Sequence, residues 1–177
     1  MYILNISFNN LTVLPPDLGN LKCLRELDVS CNKLEDICPE IGLCIRLKKL
    51  KVNGNRLHTF PKELAKCKLL EEIIASEKAI EELPVELQVL NVLTVLRLQN
   101  NSLTYFPPEY HKCLMLNEID LTNNKLTNIA DAVWTNTPLI MWMCKHNYSK
   151  QVDALVQCVS LICTPQKMRG LQLFLNE

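Results

Sequence analysis

The stretch Leu24-Arg-Glu-Leu-Asp-Val-Ser-Cys-Asn-Lys-Leu34 contains the pattern that decides the fold. Leu27 and Val29 alternate with polar residues, which is typical of a short strand with one buried face. Asn32 follows where the chain turns, and its side-chain amide can hydrogen-bond backbone groups in the turn and in a neighbouring segment. The pattern returns every 23 residues without a change of register. Each 23-residue block is called a repeat below, and repeats 1–7 begin at Met1, Leu24, Leu47, Leu70, Leu93, Leu116 and Leu139.

Apolar residues occupy fixed positions within each repeat. Position four is Leu4, Leu27, Leu50, Ile73, Leu96, Ile119 and Trp142, and position six is Ile6, Val29, Val52, Ala75, Leu98, Leu121 and Cys144. One repeat cannot bury its own apolar face, so the repeats must stack. Proline at position 15 of four repeats suits a short irregular or helical return better than a strand. Because parallel strands about 4.8 Å apart line one side and bulkier segments the other, the stack must curve.

These repeats resemble a known family. The block from Leu24 to Leu34 has the L-x-x-L-x-L-x-x-N-x-L signature of leucine-rich repeats, and Leu14-Pro-Pro-Asp-Leu18 and Phe60-Pro-Lys-Glu-Leu64 resemble its L-P-x-x-I/L half-repeat. That half is typical of the 23-residue cytoplasmic class, the Ras-suppressor and Ras–Raf scaffold type. The resemblance implies an α/β fold: a right-handed leucine-rich-repeat solenoid, or horseshoe, with a parallel sheet on the concave face and short irregular or helical convex segments.

The array is predicted to cover residues 1–147, followed by a C-terminal helical cap over residues 148–177. Apolar residues recur at helical spacing between Ser149 and Cys163, which predicts an amphipathic helix there. Met1 begins directly on the first predicted strand, without a cap. An uncapped end exposes a strand edge, so we expect either a shortened form of a longer array or a first repeat that pairs with something.

Asparagine recurs at position nine and predicts a structural ladder along the array. Its members are Asn9, Asn32, Asn55, Asn101, Asn124 and Asn147. Repeat 4 has Lys78 at this position, which predicts a gap that a water molecule fills.

Charge and cysteine content exclude several classes of protein. The chain has 19 basic and 19 acidic residues among 177, so a uniformly basic nucleic-acid binder is excluded. No apolar run is long enough to cross a bilayer, so we expect no membrane insertion. Without a signal peptide, the nine cysteines are predicted to be free thiols in the reducing cytoplasm. Cys44, Cys67 and Cys113, all at position 21, are interpreted as small core residues, and Cys31 as the most exposed thiol.

No catalytic motif is present, and no histidine, cysteine or carboxylate spacing suits a metal or cofactor, so an enzyme is not predicted. The concave face instead carries variable residues on a regular scaffold, and we predict that it binds a protein partner. The predicted partner-binding residues are Glu26, Asp28, Lys49, Lys51, Asn53, Arg56, Glu72, Ile74, Glu77, Arg97, Gln99, Glu118 and Asp120. If the face is merely solvated, Asp28 should pair with Lys51 and Arg97 with Asp120.

The sequence therefore predicts a non-catalytic intracellular scaffold or adaptor for protein–protein interaction, and the family resemblance suggests signalling. Two alternatives stay open. One is a substrate-recognition subunit of an enzyme complex such as a ubiquitin ligase. The other, less favoured, is binding of nucleic acid or an anionic surface through repeat 3, whose net charge is positive while that of repeat 4 is negative.

Overall fold

A computed structural model describes residues 1–76, 79–129 and 141–143. Within these residues, seven strands form one parallel sheet in the order β1-β2-β3-β4-β5-β7-β9. The strands are β1 Ile3–Asn5, β2 Glu26–Asp28, β3 Lys49–Lys51, β4 Glu72–Ile74, β5 Val95–Arg97, β7 Glu118–Asp120 and β9 Met141–Met143. A second, two-stranded parallel sheet joins β6 Tyr105–Phe106 to β8 Asn128–Ile129.

Neighbouring strands of the large sheet pair at an offset of one repeat. Leu27 lies opposite Leu50, which lies opposite Ile73, and the same register continues to Leu96 and Ile119. In β2, β3, β4, β5 and β7 this middle residue is buried, whereas the residues on either side of it are half-buried. Alternation along each strand thus fixes which side chains enter the core and which face outward.

The return segments on the other side of each repeat are short 3-10 helices. They span Pro16–Asn20, Pro39–Leu43, Lys62–Lys66, Val85–Val89 and Pro108–Lys112. In four of the five, a proline with φ between −68° and −63° precedes the first helical residue, because the ring holds the backbone at the angle that a helix start requires. The third residue of each helix points into the core: Leu18, Ile41, Leu64, Leu87 and Tyr110.

The position-21 cysteines belong to this core. Cys44, Cys67 and Cys113 are fully buried, which confirms their interpretation as small core residues. The expectation that Cys31 is the most exposed thiol is wrong, because Cys31 is half-buried with its sulfur against Gly54 of the next repeat, whereas Cys23 is exposed.

The asparagine side chains tie successive repeats together. Asn32 donates from Nδ2 to the carbonyls of Val29 (2.9 Å) and Ile6 (3.0 Å), and its Oδ1 accepts from the amide of Leu11 at 3.0 Å. Asn55 repeats this arrangement one repeat further along, so the Val29 carbonyl accepts from two asparagines. Each shared carbonyl thereby links one repeat to the next.

The same sharing reappears after repeat 4, where Asn101 and Asn124 both donate to the Leu98 carbonyl at 2.9 Å. Between Asn55 and Asn101, no carbonyl of the described residues accepts from two asparagines. The Val52 carbonyl accepts from Asn55 alone, and the Ala75 carbonyl from Asn101 alone, among the residues described. The backbone amide of Leu57 has no hydrogen-bond partner among the described residues. Leu57 also lines a cavity of about 10 Å³.

The predicted α/β solenoid with a parallel sheet and short convex segments is confirmed. The predicted helical cap over residues 148–177, together with Asn147 and Lys78, lies outside the described residues. Among the described residues, no helix combines the length and the apolar character needed to span a bilayer.

Candidate functional site

The outward surface of the large sheet is the candidate site and is called the concave face below. Positions three and five of the repeats form its rows, and the buried residue between them fixes the backbone that holds each pair. Nine of the predicted residues lie in strands of this face: Glu26, Asp28, Lys49, Lys51, Glu72, Ile74, Arg97, Glu118 and Asp120. All nine are half-buried.

The remaining four predicted residues lie elsewhere. Asn53 and Gln99 follow β3 and β5 by two residues and are half-buried. Arg56 is exposed and comes after the ladder residue Asn55, so it lies on the edge of the array beyond the sheet. Glu77 is outside the described residues.

Two ion pairs link neighbouring strands across the concave face. Lys49 Nζ lies 3.0 Å from Glu72 Oε1, and Arg97 Nε donates to Glu118 Oε1. The hydrogen bond to Glu72 raises the pKa of Lys49, and the hydrogen bond to Glu118 raises the pKa of Arg97. Solvent screens pairs of this kind at the surface, so they set the charge pattern more than the stability.

The pairing expected from the sequence, Asp28 with Lys51 and Arg97 with Asp120, is not the one formed. Both aspartates turn back onto their own strand ends: Asp28 Oδ1 accepts from the Ser30 amide, and Asp120 Oδ1 from the Thr122 amide, each at 3.0 Å. These local bonds hold the carboxylates in place, so Arg97 pairs instead with Glu118, which is the position-three residue of the next repeat.

Lys51 consequently has no ion-pair partner among the described residues. It lies in register with Ile74, which in turn lies in register with Arg97. Val95 is the diagonal neighbour of Ile74 on the same face, and both are half-buried. The centre of the concave face is therefore a small apolar patch of Ile74 and Val95, with the unpaired ammonium of Lys51 beside it.

Sequence reasoning omitted Val95 from the predicted binding residues. The available signal was its position three, which faces outward in every repeat, combined with the apolar Ile74 one repeat earlier. Most of the predicted binding residues are charged or carry a side-chain amide, and Val95 has neither feature.

A polar row at position seven borders the patch. Ser30 Oγ donates to Asn53 Oδ1 at 2.8 Å, which joins repeats 2 and 3. The side-chain oxygen of Gln99 is buried and accepts no hydrogen bond among the described residues. A buried acceptor without a hydrogen-bond donor lowers the stability of the folded state.

Outside the concave face, two open grooves of about 660 and 560 Å³ run between the strand ends and the 3-10 helices. Carboxylates line much of both, and His58 Nδ1 lies 3.9 Å from Glu81 Oε1 on the exposed wall of the larger groove. Within residues 1–76, 79–129 and 141–143, no group of three or more histidines, cysteines or carboxylates is arranged to hold a metal ion.

Residues 3–41 match the family model described as Leucine Rich repeats, two copies. A solved structure supports this match. The leucine-rich-repeat protein LIC12759 of Leptospira interrogans aligns with 84% of the chain at 34% sequence identity, with a TM-score of 0.79. The fold is a leucine-rich-repeat solenoid. Proteins built of leucine-rich repeats generally mediate protein–protein interactions.

Two more distant solved structures share the leucine-rich-repeat fold over 84% of the chain. The ectodomain of the plant receptor kinase GASSHO1/SCHENGEN3 from Arabidopsis thaliana, in complex with CASPARIAN STRIP INTEGRITY FACTOR 2, is 24% identical with a TM-score of 0.71. The TLR13–ssRNA13 complex is 17% identical with a TM-score of 0.72. The chain spans 38% of the Leptospira protein and 22% of each of the others. A search of curated protein sequences gave no match.

Proposed function

We propose that this chain is a non-catalytic module that binds a protein partner on its concave face. The observation that carries the proposal is the in-register array itself, which holds Lys51, Ile74 and Arg97 in one row across three strands. Because the backbone beneath that row is fixed by buried position-four residues, a partner meets a preorganised surface and little conformational entropy is lost on the module's side.

The charge pattern supports a protein rather than a polyanion as the partner. The position-five row of the concave face contains both signs of charge, with Asp28 before Lys51 and Asp120 after Arg97, so its basic residues form no continuous track. A nucleic acid needs a continuous basic track for its phosphates. One distant structural neighbour of the chain is in complex with CASPARIAN STRIP INTEGRITY FACTOR 2 and another with ssRNA13, so the fold alone does not decide the class of partner.

We further propose a scaffold or adaptor role in the cytoplasm, where signalling is the context suggested by the resemblance to the Ras-suppressor type of repeat. The support for the location comes from the sequence, in which the odd number of cysteines, nine, suits free thiols in a reducing compartment.

The test is affinity capture from cell extract with two variants that change net charge equally. Lys51→Glu with Arg97→Glu reverses the concave cations, and Lys62→Glu with Lys66→Glu reverses two exposed lysines of a convex 3-10 helix. We expect the concave variant to lose partners that wild type and the convex variant retain, while all three melt within a few degrees of one another. Equal capture by all three would place the binding surface elsewhere.

A further inference from the structure

Among the described residues of the concave strands, Lys51 is the cation that forms no ion pair. Lys48 pairs with Glu71, Lys49 with Glu72 and Arg97 with Glu118, whereas the ammonium of Lys51 has neither an ion pair nor a hydrogen bond among the described residues. An incoming carboxylate therefore reaches Lys51 without breaking an existing pair. Pairing with any of the other three cations would first require a protein carboxylate to be displaced.

The apolar patch beside Lys51 supplies a place for an anchor side chain. Ile74 and Val95 lie on adjacent strands between the Lys49–Glu72 pair and the Arg97–Glu118 pair. Interfaces commonly concentrate their binding energy in such a central apolar contact, surrounded by polar groups that exclude water. A large aliphatic side chain of the partner, seated on Ile74, would cover this patch.

On the basis of the proposed function, we propose that the partner presents an acidic–aliphatic segment. In this segment a carboxylate contacts Lys51, and a neighbouring large aliphatic side chain contacts Ile74 and Val95. The two contact points lie one strand spacing apart, about 4.8 Å. Residues three or four apart on a helix have Cβ atoms separated by about 5–6 Å. A helix lying along the array with its acidic and aliphatic residues one turn apart matches that spacing.

Selection from a phage-displayed library of random dodecapeptides tests the chemistry directly. On the full chain we expect enrichment of peptides with Asp or Glu three or four residues from Leu, Ile, Met or Phe. On Lys51→Glu we expect the acidic preference to be replaced by Lys or Arg at the same spacing. Peptides selected on wild type should bind Lys51→Glu at least tenfold more weakly, and bind the convex control Lys62→Glu unchanged.

A second variant separates failure of this inference from failure of the proposed function. Ile74→Arg blocks the patch, and the fold accepts arginine at position five because Arg97 occupies it one repeat later. Enriched peptides that lose binding to Ile74→Arg but show no acidic preference would overturn the inference and leave concave-face binding intact. Enriched peptides insensitive to both Lys51→Glu and Ile74→Arg would overturn both. Absence of any enriched peptide would overturn the inference, and extract capture would then decide the proposed function.

Discussion

Replacing Asn101 with alanine should destabilise the fold more than the same change at Asn32 or Asn9. Asn101 is buried, donates to the Ala75 carbonyl at 2.7 Å and to the Leu98 carbonyl at 2.9 Å, and accepts from the Ile80 amide at 3.2 Å. The Leu98 carbonyl keeps a bond from Asn124 after the substitution. Among the described residues the Ala75 carbonyl keeps no bond, because repeat 4 has lysine at position nine, and the Ile80 amide loses its acceptor, which is Asn101 itself.

The magnitude follows from those two stranded groups. Each buried group left without a partner costs about 1–3 kcal/mol, so Asn101→Ala should lower the free energy of unfolding by about 2–6 kcal/mol. Asn32→Ala strands the Leu11 amide, while the Val29 carbonyl keeps Asn55 and the Ile6 carbonyl keeps Asn9, so about 1–3 kcal/mol is expected. Asn9 is exposed and makes only bonds within its own repeat, so Asn9→Ala should cost less than about 1 kcal/mol.

Urea unfolding followed by circular dichroism measures the three variants against wild type. The expected order of destabilisation is Asn101, then Asn32, then Asn9, with unchanged dependence on urea concentration. Equal losses for Asn101→Ala and Asn32→Ala would show that sharing a carbonyl between two asparagines does not reduce the loss. A large loss for Asn9→Ala would show that the bonds within one repeat suffice.

Three further changes test other parts of the structure. Lys78→Asn should raise the melting temperature, because an asparagine at position nine supplies the missing acceptor for the Leu57 amide; an unchanged or lower value would contradict this. Gly42→Ala should cost about 2–3 kcal/mol in urea unfolding, because its Cβ would lie 2.4 Å from the backbone oxygen of Glu63; a neutral result would show that the repeats separate easily. Burial raises the pKa of the Cys67 thiol from 9.0 to about 12, so the folded state binds this proton more tightly than the unfolded chain does. The associated stability is complete below pH 9 and is lost between pH 9 and 12, at up to about 1.4 kcal/mol per pH unit. The free energy of unfolding, measured at pH values on both sides of 9, should decline less steeply with pH for Cys67→Ala than for wild type. An identical slope would refute the assignment of the raised pKa to Cys67.

The repeat register and the fold were predictable because they depend on side-chain period alone. Leucine at position four and asparagine at position nine recur 23 residues apart, and the strand pairing has the same offset. Burial of Cys67 followed in the same way from its phase within the repeat.

The pattern of charge contacts was not predictable, because it depends on competition between nearby acceptors and donors. Asp28 lies directly opposite Lys51, yet the backbone amide of Ser30 is closer along its own strand and holds the carboxylate. Arg97 has Asp120 opposite and Glu118 diagonal, and its long side chain reaches the diagonal one. Differences of less than a few ångströms in side-chain position decide which neighbour forms the contact, and a sequence pattern does not record them.

The gap in the asparagine ladder leaves repeats 3 and 4 joined by the sheet, the core and ion pairs. No described asparagine side chain bonds repeat 4 back to the core of repeat 3, but Lys48–Glu71 and Lys49–Glu72 cross that joint beside the backbone pairing of β3 with β4. Salt screens exposed pairs, with a Debye length of about 8 Å at physiological ionic strength and about 3 Å at 1 M, and it leaves buried amide bonds largely unaffected. Rising ionic strength therefore weakens the ion pairs at this joint more than its other contacts, while the backbone pairing of β3 with β4 and the buried position-four residues keep the two repeats together.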